Sequence, residues 1–281
     1  MDSCDAGTWS ATNFQTLWNT ALPYANTYAS RTFFGYIGGE NVTQCGLYVV
    51  PITAATEQRA NTYIPNGATW GVGPIYNGVQ APLGCGGPSG EVLMGDTTAA
   101  ALAAGKADAD HARDEAKPQG WTSVIYDDMD YYTPTNLTYP DHNNCELIVT
   151  TFLNGWDNEL QLDGYQEPAV YGTACSTIKG LVDYLGQPGM HEPAYVWPAQ
   201  YVNESPWNVQ CVPNGDWLDD QRSVQYCCQG GIYVQGLHVD TDCVLSGMED
   251  GLAESVWDYG GTNDASDEVN SPTYDKFCRR T

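Results

Sequence analysis

The sequence predicts an α/β fold, a (β/α)8 TIM barrel formed by a single domain and stabilised by disulfides. Short apolar runs of strand type alternate with longer runs of helical periodicity along the 281 residues, which favours parallel strand pairing. Eight strand-like runs in about this chain length are what one (β/α)8 barrel contains. No glycine-rich phosphate loop follows the first strand, so a doubly wound open sheet is the weaker alternative.

The strands and helices are assigned in chain order from apolar patterning and from the residues that bound each run. The clearest helix begins after Asp96, has alanine-rich turns and ends at Pro118-Gln119-Gly120. The strand-like runs are 1–3, 33–37, 69–76, 123–130, 167–173, 194–197, 223–227 and 237–242. The helical runs are 12–30, 45–62, 97–117, 144–163 and 175–186.

No linker or low-complexity block is long enough to divide the chain into two domains. We therefore predict one barrel domain over residues 1–245. Residues 246–281 are acidic and rich in Gly, Ser and Asn, and we expect them to form an extension that packs on the barrel.

The charge balance is strongly acidic, with ten basic against 35 acidic residues and a net charge of −25. Such a surface repels phosphate backbones and anionic lipids, so we expect neither a nucleic-acid nor a membrane partner. No apolar run approaches the roughly 20 residues that span a bilayer. Neutral carbohydrate is compatible with this charge, and 19 Tyr and 9 Trp supply flat faces for sugar rings, although core packing accounts for most of them.

Ten cysteines are scattered along the chain without a Cys-x-x-Cys pair. An even, scattered set indicates disulfides and an oxidising compartment, against the alternative of ten buried thiols in a cytosolic protein. Neither a basic stretch nor an apolar core follows Met1, so we expect a secreted protein whose signal peptide has been removed. Cys4 and Cys45, both expected in strand-end loops on one side, are the pair that the sequence suggests.

A cluster of carboxylates follows the apolar run that begins at Val124, in the string "VIYDDMD". Buried unpaired carboxylates are costly, so a sequence that retains them usually uses them. Side chains alternate along a strand, which predicts that Asp128 and Asp130 face one way and Asp127 and Met129 the other. The alternative is that some of the 35 acids end strands by chance.

Other polar and aromatic residues end the predicted strands at the same mouth, where barrel enzymes carry their active sites. First and last strands are neighbours in a closed barrel, which predicts that Asp2 lies near Asp240. The predicted catalytic residues are Asp128, Asp130, Asp2 and Asp240. The predicted substrate-binding residues are Tyr36, Tyr76, Gln80, Tyr131, Tyr171, Trp197, Gln200, Gln225 and Tyr226.

We expect neither a cofactor nor a metal ion. Clustered carboxylates would suit Ca²⁺ or Mg²⁺, but the chain lacks a regular ligand loop such as Asp-x-Asp-x-Asp-Gly. The four histidines form no His-x-x-x-His or Ser/His/Asp arrangement, so we expect surface or supporting roles for them.

Seven segments point to a known family. They are "DSC" at 2–4, "GYIGG" at 35–39, "WGVGPIYNGVQAP" at 70–82, "IYDDMD" at 125–130, "FLNGWDNELQLDGYQEPAVYGT" at 152–173, "VWPAQY" at 196–201 and "QRSVQY" at 221–226. In this order they resemble the glycoside-hydrolase-like domain family, formerly a domain of unknown function, which is related in fold to the family-25 lysozymes. The resemblance covers roughly residues 2–245.

The resemblance implies a TIM barrel, secretion and an Asp-x-Glu pair on a central strand. Asp128 matches the first acid of that pair and Asp130 the second, while Asp2 matches the acid on strand one and Asp240 the acid on the last strand. One departure is that Asp130 stands where the family usually has Glu, which moves the carboxyl by about 1.5 Å. A misplacement of about 1 Å can reduce a rate about a hundredfold.

Together these observations predict a secreted, monomeric glycoside hydrolase that acts on a cell-wall or extracellular polysaccharide. Asp130 is the predicted general acid, and Asp128 the charged partner that raises its pKa or stabilises the oxocarbenium ion. Asp2 and Asp240 would orient substrate or water. The alternative is a non-catalytic carbohydrate-binding barrel in which the change from Glu to Asp marks lost activity.

Overall fold

The computed structural model describes most of the chain, and its helices and strands alternate as predicted. The described residues are 5–21, 30–42, 50–64, 69–134, 144–165, 167–200, 209–213, 215–217, 221–234 and 237–244. The strands are β1 (Ser30–Gly38), β2 (Thr69–Tyr76), β3 (Val124–Met129), β4 (Glu167–Thr173), β5 (Tyr195–Ala199), β6 (Ser223–Val234) and β7 (Leu237–Val244). The helices are α1 (Ala11–Ala21), α2 (Ala54–Ala60), α3 (Thr98–Ala116), α4 (Cys145–Leu162) and α5 (Lys179–Tyr184), the last preceded by a π-helical turn at Ala174–Ile178.

Several predictions fall outside the described residues. They are the strand at 1–3 with Asp2, the Cys4–Cys45 pair and the extension at 246–281. The structure describes the backbone of Asp240 in β7 but not its side chain.

One sheet contains all seven described strands, in the order β1-β2-β3-β4-β5-β6-β7. Strands β1 to β6 run parallel to one another. The sheet is strongly curled, because the ring centroids of Phe34 on β1 and Trp197 on β5 lie 4.3 Å apart. In a flat sheet, strands separated by three others would be about 19 Å apart. The described part is therefore a half-barrel of parallel strands.

The last pair of strands corrects the prediction of eight parallel strands. β7 runs antiparallel to β6, with Val234 paired to Leu237. Only two residues separate these strands, and a two-residue connection can join only antiparallel neighbours. The prediction ended β6 at Cys227 and placed a crossover where the structure has a hairpin. Among the described residues, a complete (β/α)8 barrel is thus not present.

Aromatic side chains fill the concave face of the sheet. Phe34, Tyr126 and Trp197 contact one another, and Ile75 lies in the same cluster. The opposite face is covered by helices, so that Ile125 packs with Trp70 and with Trp156 of α4. Because both faces are buried, β2 and β3 are apolar along most of their length.

Capping residues set the helix boundaries close to the predicted ones. The Thr97 hydroxyl accepts a hydrogen bond from the Ala100 amide at 3.2 Å, and the Asn144 side chain accepts one from the Leu147 amide at 2.8 Å. Helix α2 is shorter than the predicted 45–62, because Pro51 precedes it and Thr53 caps it. Residues 22–29 and 45–49 of the predicted helices lie outside the described residues.

Two disulfides link loops to helices. One joins Cys85, in the segment after β2, to Cys145 at the first turn of α4. The other joins Cys175 to Cys211. The prediction of disulfides is confirmed for these four residues. Among the described residues, no helix is long and apolar enough to cross a membrane.

Candidate active site

The acidic run at the end of β3 divides between the two faces of the sheet. Val124 and Tyr126 belong to the concave cluster, whereas Ile125 and Met129 pack on the outer face. Alternation therefore places Asp128 on the concave face, at the carboxyl end of its strand, as predicted.

Asp128 is buried, and two side chains from neighbouring strands hold one of its oxygens. The Tyr36 hydroxyl donates to Oδ2 at 2.9 Å, and the Asn77 amide donates to the same atom at 3.2 Å. The other oxygen, Oδ1, is buried without a hydrogen-bond partner among the described residues. Burial and then the charge of Asp130 raise the pKa of Asp128 well above its usual range, while the Tyr36 hydrogen bond acts in the opposite direction.

Gln80 fixes the backbone that carries both acids. Its Nε2 donates to the Asp128 carbonyl at 2.7 Å, and its Oε1 accepts from the Asp130 amide at 2.8 Å. Gln80 is fully buried, so it supports the acids from behind and does not line the mouth. Asp130 itself is partly exposed, and burial raises its pKa. The geometry therefore provides one buried carboxyl and one accessible carboxyl, two residues apart.

A third carboxyl, which the sequence did not predict, approaches the pair. The segment that follows Glu91 is clamped by Asn41, whose Oδ1 accepts from the Val92 amide at 2.7 Å and whose Nδ2 donates to the Val92 carbonyl at 2.8 Å. Glu91 Oε2 is buried without a hydrogen-bond partner among the described residues. Burial, and then the charge of Asp130, raise the pKa of Glu91.

Aromatic and amide side chains line the rest of the concave face near the mouth. The Tyr171 hydroxyl donates to Gln225 Oε1 at 2.8 Å, and the Tyr171 ring lies 4.7 Å from that of Trp197. Trp197 and Gln225 are buried, so they contribute to the wall beneath the mouth. Tyr36 and Tyr171 are partly exposed. The structure thus brings these four predicted residues together with Asp128.

The other predicted substrate-binding residues do not belong to this wall. Tyr131 is 61% exposed beside Asp130, whereas Gln200 is buried and accepts from the Gln210 amide at 2.8 Å. Tyr76 points to the outer face, where its ring stacks on Trp156. The side chain of Tyr226 lies outside what the structure describes.

The order and identity of these elements agree with a known family. A family model described as "Rv2525c-like, glycoside hydrolase-like domain" matches residues 34–244. The chain belongs to this family. No match was found among curated protein sequences.

Among solved structures, one match is the modular autolysin LytC from Streptococcus pneumoniae. The two chains are 14% identical with a TM-score of 0.45, and the match covers 81% of this chain and 43% of that chain. This chain therefore corresponds to less than half the length of LytC. A similarity this low carries no argument about the reaction.

In this glycoside hydrolase-like domain, Asn77 is a site residue that the sequence prediction missed. Tyr76 was chosen as the strand-end residue, but Tyr76 faces the helices and Asn77 faces Asp128. A strand buried on both faces has no polar–apolar alternation from which its inward side can be read. Asn77 could be recognised as the neighbour of Asp128 only once the strand register was known, in which Ile75 pairs with Tyr126.

Metal-ligand geometry within the described residues occurs away from the acid pair. The ligand atoms of Glu40, Asp108 and His111 lie within 4.8 Å of one another, on the outer side of the sheet. The carboxyls of Asp128, Asp130 and Glu91 do not form such a group in the described part of the chain.

Proposed function

We propose that this protein is a secreted glycoside hydrolase that cleaves a cell-wall or extracellular polysaccharide with the carboxyls of Asp128 and Asp130. The observation that carries the proposal is the pairing of a buried and an accessible carboxyl at the mouth of a glycoside hydrolase-like domain. Glycoside hydrolysis needs a carboxyl that remains protonated and a second one that bears charge.

The hydrogen bonds favour a specific division of roles. Tyr36 and Asn77 both donate to Asp128 and so stabilise its charged form, and no donor to the Asp130 carboxyl occurs among the described residues. Although burial and the charge of Asp130 raise the pKa of Asp128, these two donors lead us to assign the negative charge of the pair to Asp128 and the shared proton to Asp130. Asp130, which is accessible, donates that proton to the glycosidic oxygen, while Asp128 stabilises the positive charge that develops on the sugar.

Glu91 provides a third carboxyl for the second half of the reaction. Its clamped segment holds it within electrostatic reach of Asp130. We assign Glu91 the role of general base, which accepts a proton from the attacking water. If the substrate carries an N-acetyl group, the acetamide oxygen is the nucleophile and Asp128 positions it.

Secretion is part of this proposal. The disulfides Cys85–Cys145 and Cys175–Cys211 support an oxidising compartment, in which the polysaccharide of a cell wall or extracellular matrix is the accessible substrate.

The test is release of reducing ends from peptidoglycan, chitin, β-glucan, galactosaminogalactan and arabinogalactan, with products identified by mass spectrometry. We expect release from one polymer by the wild type and by Asp114→Asn, which changes an exposed acid near the C-terminal end of α3. We expect none above background from Asp130→Asn. Release that persists in Asp130→Asn would show that Asp130 is not the acid.

A non-catalytic carbohydrate-binding protein is the second candidate, and two observations favour it. Asp130 stands where the resembling family usually has Glu, and Tyr131 beside it offers a 61% exposed aromatic side chain of the kind that sugars stack on. A binding protein would retain one of the polymers in a pull-down without releasing reducing ends. Under this candidate, Tyr131→Ala would weaken retention and Asp130→Glu would leave it unchanged.

A further inference from the structure

A group of metal-ligand side chains lies outside the candidate active site, where helix α3 meets the segments that follow β1 and β2. Glu40 is in the turn after β1, and Asp108 and His111 are three residues apart on α3. Residues three apart on a helix project to the same side, and an acid and a His at this spacing form metal sites in helical proteins. One ligand atom from each of the three lies within 4.8 Å of the other two.

Hydrogen bonds from neighbouring groups already orient these ligands. His111 Nδ1 lies 3.1 Å from Glu40 Oε1, and the Tyr76 hydroxyl donates to Glu40 Oε2 at 3.1 Å. The Val79 amide donates to Asp108 Oδ2 at 2.8 Å. Each carboxylate therefore has one oxygen fixed by a donor outside the group, which is how supporting contacts position the ligands of a metal ion.

The group lacks a balancing positive charge. Asp108 is buried, yet within the described part of the chain neither it nor Glu40 forms an ion pair with a Lys or Arg. A separate observation points the same way. Asp127 is buried, and neither of its carboxyl oxygens has a hydrogen-bond partner among the described residues.

Asp127 lies on the same side of the sheet as this group. It pairs in register with Tyr76 on the neighbouring strand, so both side chains leave the sheet on the same face, toward α3. The Tyr76 hydroxyl reaches Glu40, and the charge of Asp108 acts on Asp127. The buried carboxyl of Asp127 therefore adds a further acid to a group that has no Lys or Arg partner among the described residues.

We propose that Glu40, Asp108 and His111 bind a divalent metal ion of the zinc type. An imidazole with two carboxylates suits Zn²⁺ better than Ca²⁺ or Mg²⁺, which prefer oxygen ligands alone. Ligand atoms in a tetrahedral zinc site are about 3.3 Å apart. The 3.1 Å between His111 Nδ1 and Glu40 Oε1 is close to this spacing. The proposal gives His111 a different role from the surface or supporting one expected from the sequence, and it does not depend on the proposed function.

The ion would have a structural effect on the candidate active site. Asp108 holds the Val79 amide, and the next residue, Gln80, fixes the backbone of Asp128 and Asp130. A metal ion on Asp108 would therefore tie α3 to the turn that supports the acid pair.

The test is isothermal titration of chelator-treated protein, without a histidine tag, with ZnCl₂ and separately with CaCl₂. We expect one Zn²⁺ per chain, weaker or no Ca²⁺ binding, and at least about tenfold weaker Zn²⁺ binding in His111→Ala and in Glu40→Gln. His191→Ala, which removes an exposed histidine elsewhere, should bind Zn²⁺ like the wild type. Both ligand positions are exposed enough for the variants to fold, which an unchanged far-UV spectrum would verify.

Two results would overturn the proposal. One is the absence of stoichiometric Zn²⁺ binding by the wild type. The other is unchanged affinity in both His111→Ala and Glu40→Gln, which would place any bound zinc elsewhere on this acidic chain.

Discussion

Asp157 should make the protein less stable as the pH rises, and replacing it by Asn should remove that effect. Asp157 lies on α4 with no exposed surface, and neither of its carboxyl oxygens has a hydrogen-bond partner among the described residues. Burial, and then the charge of Glu192, raise the pKa of Asp157 well above its usual value of 3.8. The folded protein therefore keeps this proton at a pH at which the unfolded chain has released it.

The sign and the size of the effect follow from proton linkage. Between the unfolded pKa near 3.8 and the raised folded pKa, the unfolded state binds fewer protons, so the free energy of unfolding falls as the pH rises. One such group changes the free energy of unfolding by at most about 1.4 kcal/mol per pH unit, or about 2.7 kcal/mol over two units. An Asn side chain has nearly the same shape and cannot ionise.

The assay is urea unfolding of the wild type and Asp157→Asn at pH 4.5 and pH 6.5. We expect similar stability at the lower pH and an advantage for the variant of at least about 1 kcal/mol at the higher one. The exposed-site variant Asp96→Asn should follow the wild type at both values. A stability difference between wild type and Asp157→Asn that is the same at both pH values would show that Asp157 does not retain its proton in the folded state.

Two further predictions follow from helix packing and from the acid pair. Gly105→Ala should destabilise the fold, although Ala has the higher helix propensity, because a Cβ would lie 2.0 Å from the Phe152 carbonyl oxygen. Ala107→Gly, on the exposed face of the same helix, should lower the free energy of unfolding by only about 1 kcal/mol. Thermal unfolding of both variants checks this prediction. Under the proposed roles, Asp128→Asn should shift the basic limb of the pH profile of kcat/KM to lower pH, because it removes a like charge beside Asp130. A basic limb that stays in place would contradict these roles.

The alternation of strands and helices was predictable because its signals are local. Residues 69–76 and 167–173 were assigned as strands with the bounds that β2 and β4 have in the structure. The β6–β7 hairpin was not predicted, because the strand was ended at Cys227, whereas the structure continues it through the Gly230-Gly231 pair to Val234. Two glycines cost a strand some stability but do not end it when a partner strand lies alongside.

The candidate site was predictable only for residues whose position along a strand determines the face on which their side chain lies. The placement of Asp128 followed from strand position and alternation, and the structure agrees. Glu91 could not be predicted, because its place depends on a loop clamped by Asn41, which lies 50 residues earlier in the chain. The group around His111 was missed for a related reason, since Glu40 comes from a different element and no local spacing joins the two.

The most direct test of the central claim is the rate of reducing-end release, measured side by side for the wild type and Asp130→Asn on the polymer that responds. We expect the wild type to turn over and the variant, folded to the same thermal stability, to lose at least about a hundredfold in rate. Wild-type protein that binds a polymer tightly but releases no reducing ends from any of them would contradict the central claim and identify a carbohydrate-binding protein.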